Sequence, residues 1–133
     1  MIKRRNIDPT HRSTFMITHV QAATIVDAVV GIVPVKSELV SVRETHGTLG
    51  SDGSAVTLSV ERLQATETVG AGDVVVNATI NLKGAANTVQ TGTIVKTSNI
   101  HQFQAGDRVG INVAGTTTDL ATMVVSLEFR PID

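Results

Sequence analysis

The chain contains no cysteine, no tryptophan and no tyrosine, and phenylalanine, which occurs three times, is its only aromatic residue type. Without cysteine there are no disulfides, no thiolate nucleophiles and no cysteine zinc sites, and a small secreted disulfide scaffold is disfavoured. With so few aromatic rings, the chain lacks the platforms on which proteins stack single-stranded nucleic acid. A sugar-binding site, which commonly uses the same ring faces, is disfavoured for the same reason.

A strong net charge is also missing, because 11 Lys and Arg stand against 12 Asp and Glu. The body of the protein is therefore not expected to attract nucleic acid or an anionic membrane surface. The most apolar stretch, residues 22–35, is interrupted by Thr24, Asp27 and Pro34 and is shorter than the roughly 20 residues that span a bilayer. The basic start of the chain is not followed by an apolar run, so no secretory signal is expected. We predict a soluble protein with neither nucleic acid nor a membrane as a partner.

The first residues differ from the rest of the chain in charge. They have no sustained apolar period and contain a single acidic residue, Asp8, beside the basic residues Lys3, Arg4, Arg5 and Arg12. We interpret residues 1–13 as an N-terminal arm and residues 14–133 as a single domain, which is an ordinary length for one hydrophobic core. A terminus without any role is the alternative.

Apolar and polar residues alternate at the two-residue period of half-buried strands along most of the remaining chain. The last strand is the clearest, and it predicts that Met123, Val125, Leu127 and Phe129 point inward. About eight strands without a long amphipathic helix predict an all-β antiparallel β-sandwich. A short helix over residues 21–27 is an alternative there. The predicted strands are residues 14–20, one or two strands within 22–35, residues 36–44 with Val40 and Val42 on one face, a strand beginning at Val56, residues 74–82, 89–97 and 108–113, and a last strand ending at Pro131.

A glycine turn followed by a strand occurs twice, at Gly70-Ala71-Gly72-Asp73 and at Gln104-Ala105-Gly106-Asp107. The alternation after the first turn predicts an uninterrupted strand over residues 74–82, with Val74 and Val76 on the same face. An aspartate directly after glycine at a strand entrance commonly accepts local backbone N–H bonds. We therefore interpret Asp73 and Asp107 as turn residues and not as an acid–base pair.

Several segments together resemble the jelly-roll domains of tailed-bacteriophage virion proteins, most of all capsid decoration, or cement, proteins. These are the Ala-Gly-Asp turns, the segment LKGAANTVQTGT at residues 82–93 and the segment GTTTDL at residues 115–120. Ala-Gly-Asp turns also occur in tumour-necrosis-factor-like and complement-C1q-like jelly rolls, which form trimers. The resemblance implies a jelly roll that packs as a homotrimer and sits on the outer surface of a capsid assembled in the host cytoplasm, with the major capsid protein as its other partner.

No catalytic pattern is present in the chain. The four histidines are far apart and form neither a His-x-His nor a His-Glu-x-x-His motif. The Gly70-Ala71-Gly72 turn lacks the Lys-Ser/Thr pair of a phosphate-binding loop, and no Gly-x-Ser-x-Gly elbow occurs. We predict that the protein is not an enzyme and has no cofactor and no metal site.

The function predicted from these features is structural. A homotrimeric decoration protein would bridge major capsid subunits and stabilise the assembled shell by mass action and avidity. A head-fibre or tail-fibre adhesion module on the same fold is the main alternative, and a cupin-type enzyme or sugar-binding protein is another. Contacts with coat protein or a neighbouring copy are predicted for the arm and the strand that follows it, at Lys3, Arg4, Arg5, Arg12, Phe15 and Ile17.

Overall fold

The computed structural model describes residues 13–48, 55–117 and 119–133, and these residues form two five-stranded antiparallel sheets. The first sheet has the order β1-β10-β3-β7, with β8 also paired to β3. The second has the order β2-β9-β4-β5, with β6 also paired to β4. The strands are β1 (Phe15–Gln21), β2 (Ala28–Ile32), β3 (Ser37–Thr45), β4 (Thr57–Leu63), β5 (Asp73–Val74), β6 (Ile80–Asn81), β7 (Gln90–Gly92), β8 (Gln102–Phe103), β9 (Arg108–Ala114) and β10 (Met123–Pro131).

The hydrophobic core lies between the two sheets. The predicted inward face of β10 is confirmed, because Met123, Val125, Leu127 and Phe129 are fully buried. The second sheet contributes its own inward residues, among them Leu58, Val60, Val109 and Ile111, and Val56, just before β4, packs in the same core. The antiparallel β-sandwich is therefore confirmed, with ten strands in the described residues instead of about eight.

The three phenylalanines of the chain meet in this core. Phe129 stacks on Phe15, with ring centroids 5.3 Å apart, and meets Phe103 edge-on at 5.2 Å. Both arrangements are favourable for aromatic rings and add to the gain from burial. The first, last and eighth strands are thus joined within the first sheet.

A β-bulge in β3 reverses the alternation that the sequence predicts. Leu39 pairs with Phe129 and Ser41 pairs with Glu128, so Val40 has no partner on β10. The extra residue places Leu39 and Val42 in the core and leaves Val40 exposed. The prediction that Val40 and Val42 share a face is wrong, because a bulge shifts the pleat by one residue.

The predicted uninterrupted strand over residues 74–82 is also wrong. The chain forms the short strands β5 and β6 against β4, and between them it pairs with the segment 93–95. Because the hydrogen-bond partner changes at this point, Val75 and Val76 are both buried, while Val74 is exposed. The predicted strand over residues 89–97 is correspondingly short, with β7 followed by a single bridge at Ile94.

The segment between β1 and β2 is irregular, so the alternative helix over residues 21–27 is wrong. The side-chain amide of Gln21 closes this segment. Its Nε2 donates to the carbonyl of Val26 at 3.1 Å, and its Oε1 accepts the Val26 N–H at 2.9 Å. One side chain thus satisfies backbone groups that a helix would otherwise pair.

Candidate assembly surface

The residues predicted to contact other proteins fall in two parts of the chain. Lys3, Arg4, Arg5 and Arg12 lie outside the described residues. Phe15 and Ile17 lie on β1, and both pack against the core while staying partly exposed. Their contact with another chain stays a prediction, and it concerns only the exposed part of each side chain.

The strands β1 and β2 lie at the same side of the sandwich. Ile17 packs directly on Gly31, where an added Cβ would lie 2.9 Å from the Ile17 side chain. Within residues 13–48, 55–117 and 119–133, each of the two strands pairs with one neighbour, β1 with β10 and β2 with β9. This side of the sandwich therefore carries the outermost strand of both sheets.

Within its own residues, the edge strand β1 lacks the charges, proline and bulge that often protect an edge. Its sequence, FMITHVQ, contains no proline, lysine or arginine, and its register with β10 is unbroken over seven residue pairs. An edge of this kind presents a row of backbone N–H and C=O groups on which another chain can pair. The edge strand β2 is less regular, because its register shifts between Val29 and Gly31.

Exposed apolar side chains are concentrated at the same side. Among the nine large apolar side chains found exposed in the described residues, five lie on β1, on β2 or in the segment between them. The exposed fraction reaches 58% for Met16 and 66% for Ile32. The five are Met16, Val20, Val26, Val29 and Ile32. They do not form one surface, because Met16 and Val20 leave the outer face of the first sheet, while Val29 and Ile32 leave the outer face of the second.

The strands β1 and β2 and the segment between them contain few charged residues. Asp27 is the only acidic or basic residue between Phe15 and Ile32, apart from His19. Its carboxylate is already engaged, since Oδ1 accepts the backbone N–H of Val113 at 2.6 Å. Charged residues of the neighbouring strands lie beside these side chains, since Met16 pairs with Glu128 on β10 and Ile32 pairs with Arg108 on β9.

The outer face of the second sheet is covered in a different way, by the loop at residues 64–72. Glu61 and Leu63 are both buried beneath this loop. Gly110 provides the room, because an added Cβ would lie 2.9 Å from Leu63 and 3.0 Å from Val69. Part of this face is thus closed by the chain itself.

The loop is anchored by charged side chains that the sequence pattern did not single out. The Glu61 carboxylate accepts the backbone N–H groups of Gly70 and Gly72, and Arg108 donates to the carbonyls of Ala65 and Glu67. Alternation assigned Glu61 to the polar face of its strand and carried no signal that a loop would return to cover it.

The two turn aspartates have different partners. Asp107 accepts the backbone N–H of Gln104 at 2.8 Å, which confirms its predicted turn role. Asp73 instead pairs with the Arg62 guanidinium at 2.7 Å, so the prediction of a local backbone partner is wrong for it. The N–H groups of its turn bind Glu61, which leaves the Asp73 carboxylate free to bind Arg62.

A buried polar pair lies at the inward side of β3. His46 Nδ1 and Glu44 Oε1 are 2.7 Å apart, both side chains are fully buried, and Gln90 donates to the other Glu44 oxygen at 2.9 Å. His101 lies 3.6 Å from Glu38, which also binds Arg130. Among the described residues no three histidine or acidic side chains form a group that could hold a metal ion. These pairs link β3 to β7 and to the segment before β8.

Comparison with known proteins identifies related folds. No family model matches the chain, and a search of curated proteins finds no match. The fold is similar to a chain from the capsid of Ralstonia phage GP4, with a TM-score of 0.67 and 17% identity over 100% of this chain and 92% of that one. It is also similar to a chain from the capsid of cyanophage Pam1, with a TM-score of 0.59 and 15% identity over 92% of this chain and 86% of that one.

In the part of the chain that the structure describes, no helix has the length and hydropathy of a membrane span.

Proposed function

We propose that this chain is a structural virion protein, a homotrimeric decoration or cement protein on the outer surface of a bacteriophage capsid. The observation that carries the proposal is the similarity of its fold to chains from two phage capsids. The alignments span nearly the full length of those chains, so the similar unit is a whole chain of comparable size. Capsid chains of this small size are compatible with a decoration role, and we propose that role here.

The mechanism is passive, without an enzymatic step or a cofactor. A protein that binds the assembled shell but not the separated coat subunits stabilises the shell by mass action. Three linked contacts in one trimer raise the overall affinity, even where each contact is weak. A trimer would also bridge neighbouring major capsid subunits, because it presents three equivalent attachment points.

The basic arm, residues 1–13, is the proposed attachment element to the coat protein. Lys3, Arg4, Arg5 and Arg12 carry four of the 11 positive charges of a chain whose formal net charge is −1. The arm leads directly into β1, where Phe15 is held by its stacking on Phe129. The body therefore fixes the point from which the arm reaches a neighbour. We place assembly in the host cytoplasm, with no nucleic acid or membrane as a partner.

The proposal is tested by adding the purified protein to capsids that lack it. We expect saturable binding in co-sedimentation, a fixed number of copies per coat hexamer and a higher temperature of capsid disruption. Capsids mixed with an unrelated protein of similar size and charge provide the control. Absence from capsids, together with binding to host cells or to tail structures, would contradict the proposal and favour the fibre alternative.

A further inference from the structure

We propose that the outer face of the first sheet binds an extended, acidic segment of a partner protein, in which an apolar residue and a carboxylate stand two positions apart. The site is a groove along β3, between side chains of β10 and the start of β7. The proposal goes beyond the virion role and does not depend on it, because it follows from side chains of β1, β3, β7 and β10 alone.

The groove lies on the outward side of β3. Its lining side chains are Arg43, Thr45, Val89, Val124 and Ser126. Its volume is about 240 Å³, which is below the roughly 300–1,000 Å³ of sites that enclose a drug-sized ligand. The groove therefore fits one or two side chains of another protein better than it fits a cofactor.

One cross-strand row of this face is largely apolar. Val20 pairs with Val124, and Val124 pairs with Thr45. Val89, one residue before β7, borders the same groove. Val20 and Val89 are 59% and 61% exposed, so both ends of the row are open to an apolar side chain of a partner. We call these four residues the apolar row.

The next row along the same strands is polar. Thr18 pairs with Ser126, Ser126 pairs with Arg43, and Arg43 pairs with Thr91. Three hydroxyl groups and one guanidinium group thus stand side by side, and we call these four residues the polar row. Hydroxyl groups on both sides of a guanidinium are suitable donors for a carboxylate that the guanidinium holds.

The charge of the groove comes from Arg43. Its side chain is exposed, and in the part of the chain that the structure describes it forms no ion pair. Glu44 also borders the groove, but its carboxylate is fully buried on the inward face, where it binds His46 and Gln90. A guanidinium can donate two parallel N–H bonds to one carboxylate. The charge complementary to this groove is therefore negative.

The position of Glu128 limits where that negative charge can lie. Glu128 occupies the row beyond the polar row, between Met16 and Ser41, and is partly exposed. Its charge disfavours a second carboxylate at that side of Arg43. The carboxylate of the partner is therefore expected over the polar row, with the apolar residue on the side away from Glu128.

The spacing of the two rows determines the shape of the partner. Thr45 and Arg43 are two residues apart on β3, which is about 7 Å along a strand. Alternate side chains of an extended peptide point the same way with the same spacing of about 7 Å. A segment that lies along β3 therefore places an apolar residue on the apolar row and an acidic residue two positions later on the polar row. Two adjacent residues point to opposite sides and cannot reach both rows.

The first test uses three peptides of equal length in NMR titrations of the isotope-labelled protein. They are acetyl-Ser-Val-Thr-Glu-Ser-amide, acetyl-Ser-Val-Glu-Thr-Ser-amide with the same composition, and acetyl-Ser-Val-Thr-Gln-Ser-amide without the charge. We expect the first peptide to shift the amide signals of Arg43, Thr45 and Val89 and to bind about tenfold more tightly than the other two. Equal binding of all three peptides, or shifts confined to another surface, would overturn the proposal.

The second test compares two arginines on the same face. Arg43→Gln removes the guanidinium of the groove, whereas Arg130→Gln removes one that is already paired with Glu38. We expect Arg43→Gln to bind the first peptide about tenfold more weakly, and Arg130→Gln to bind it like the unmodified protein. Circular dichroism checks that both variants keep the β-sheet spectrum. Equal affinity of Arg43→Gln and the unmodified protein would overturn the site and leave the virion role in place.

A third test examines the apolar row. Val89 and Val74 are both exposed valines, but Val74 lies on the second sheet. We expect Val89→Ser to weaken binding of the first peptide about threefold and Val74→Ser to leave it unchanged. Equal effects of the two substitutions would contradict the apolar contact.

The choice of a separate partner protein is tested by light scattering. We expect the mass of the protein in solution to stay the same when the first peptide saturates the groove. Dissociation of an oligomer by the first peptide, and not by the peptide of the same composition, would assign the groove to a second copy of this chain and overturn the proposed occupant.

Discussion

The Glu61 carboxylate accepts the backbone N–H of Gly70 through both of its oxygens, at 3.1 and 3.0 Å. It also accepts the N–H of Gly72 at 3.0 Å, and the side chain is buried beneath the loop that it holds. Without this carboxylate the N–H groups of Gly70 and Gly72 would lose the charged acceptor that holds them, in hydrogen bonds that are partly buried. One acidic side chain thus closes the loop over the second sheet.

We expect Glu61→Gln to lower the free energy of unfolding by about 2–3 kcal/mol, the size of a hydrogen bond to a charged group. The substitution keeps the shape of the side chain but replaces one acceptor oxygen with a donor that faces the same N–H groups. Urea unfolding measures the change. Glu128→Gln, on the partly exposed outer face of β10, is the control and should stay within about 0.5 kcal/mol. Equal stability of the two variants would contradict the anchoring role of Glu61.

Phe129 is the centre of the aromatic cluster, and we expect Phe129→Ala to cost about 3–5 kcal/mol through lost burial and a residual cavity. Thermal unfolding measures the loss. Val124→Ala on the same strand is the control, because Val124 points to the outer face and should change stability far less. An unchanged melting temperature for Phe129→Ala would mean that the inward face of β10 is misassigned by one residue.

Two glycines with nearly the same backbone conformation provide a matched pair. Gly115 and Gly106 both have a φ of 90°, a conformation that other residues rarely adopt. A Cβ at Gly115 would lie 2.2 Å from the carbonyl oxygen of Ala55, whereas nothing lies within 4 Å of a Cβ at Gly106.

We therefore expect Gly106→Ala to cost about 1 kcal/mol from backbone strain alone, and Gly115→Ala to cost several times more or to prevent folding. Soluble yield and denaturant unfolding of the two variants measure the difference. Similar losses would show that the contact with Ala55 relaxes without cost.

Removal of residues 1–12 separates the proposed attachment element from the body. We expect the shortened protein to stay trimeric, because the sandwich that begins at β1 is left whole, and to melt within a few degrees of the full chain. Its affinity for capsids should fall at least tenfold, and the binding of the full-length protein should weaken as salt rises, because exposed Lys and Arg contacts are screened. Full occupancy of capsids by the shortened protein would contradict the role of the arm.

The sequence predicts the strands whose own alternation is regular. The alternation of Met123, Val125, Leu127 and Phe129 is confirmed by their complete burial, and the strand predicted at residues 108–113 is β9. Both strands are inner strands of half-buried sheets, where each residue alternates between the core and the outer face. The antiparallel sandwich follows from the number of such strands and the turns between them.

The candidate surface could be predicted only in part. The arm was predicted as a contact element from its basic charge alone. Its basic residues lie outside the described residues, so their contacts stay a prediction. Phe15 and Ile17 were predicted as contact residues because they follow the arm, but their side chains belong largely to the core. Met16 and Val20, which alternate with them, are the exposed residues of the same strand.

The sequence by itself determined that this protein is an antiparallel β-sandwich, because a period of two residues is a local property that each half-buried strand carries. The tertiary structure alone decided the bulge at Val40, the change of partner at Val75 and Val76, and the burial of Glu61 beneath a distant loop. It also decided that β1 and β2 are edges at one side. The physical reason is that alternation records which face a residue occupies, while pairing, edges and loop coverage depend on segments far apart in the chain.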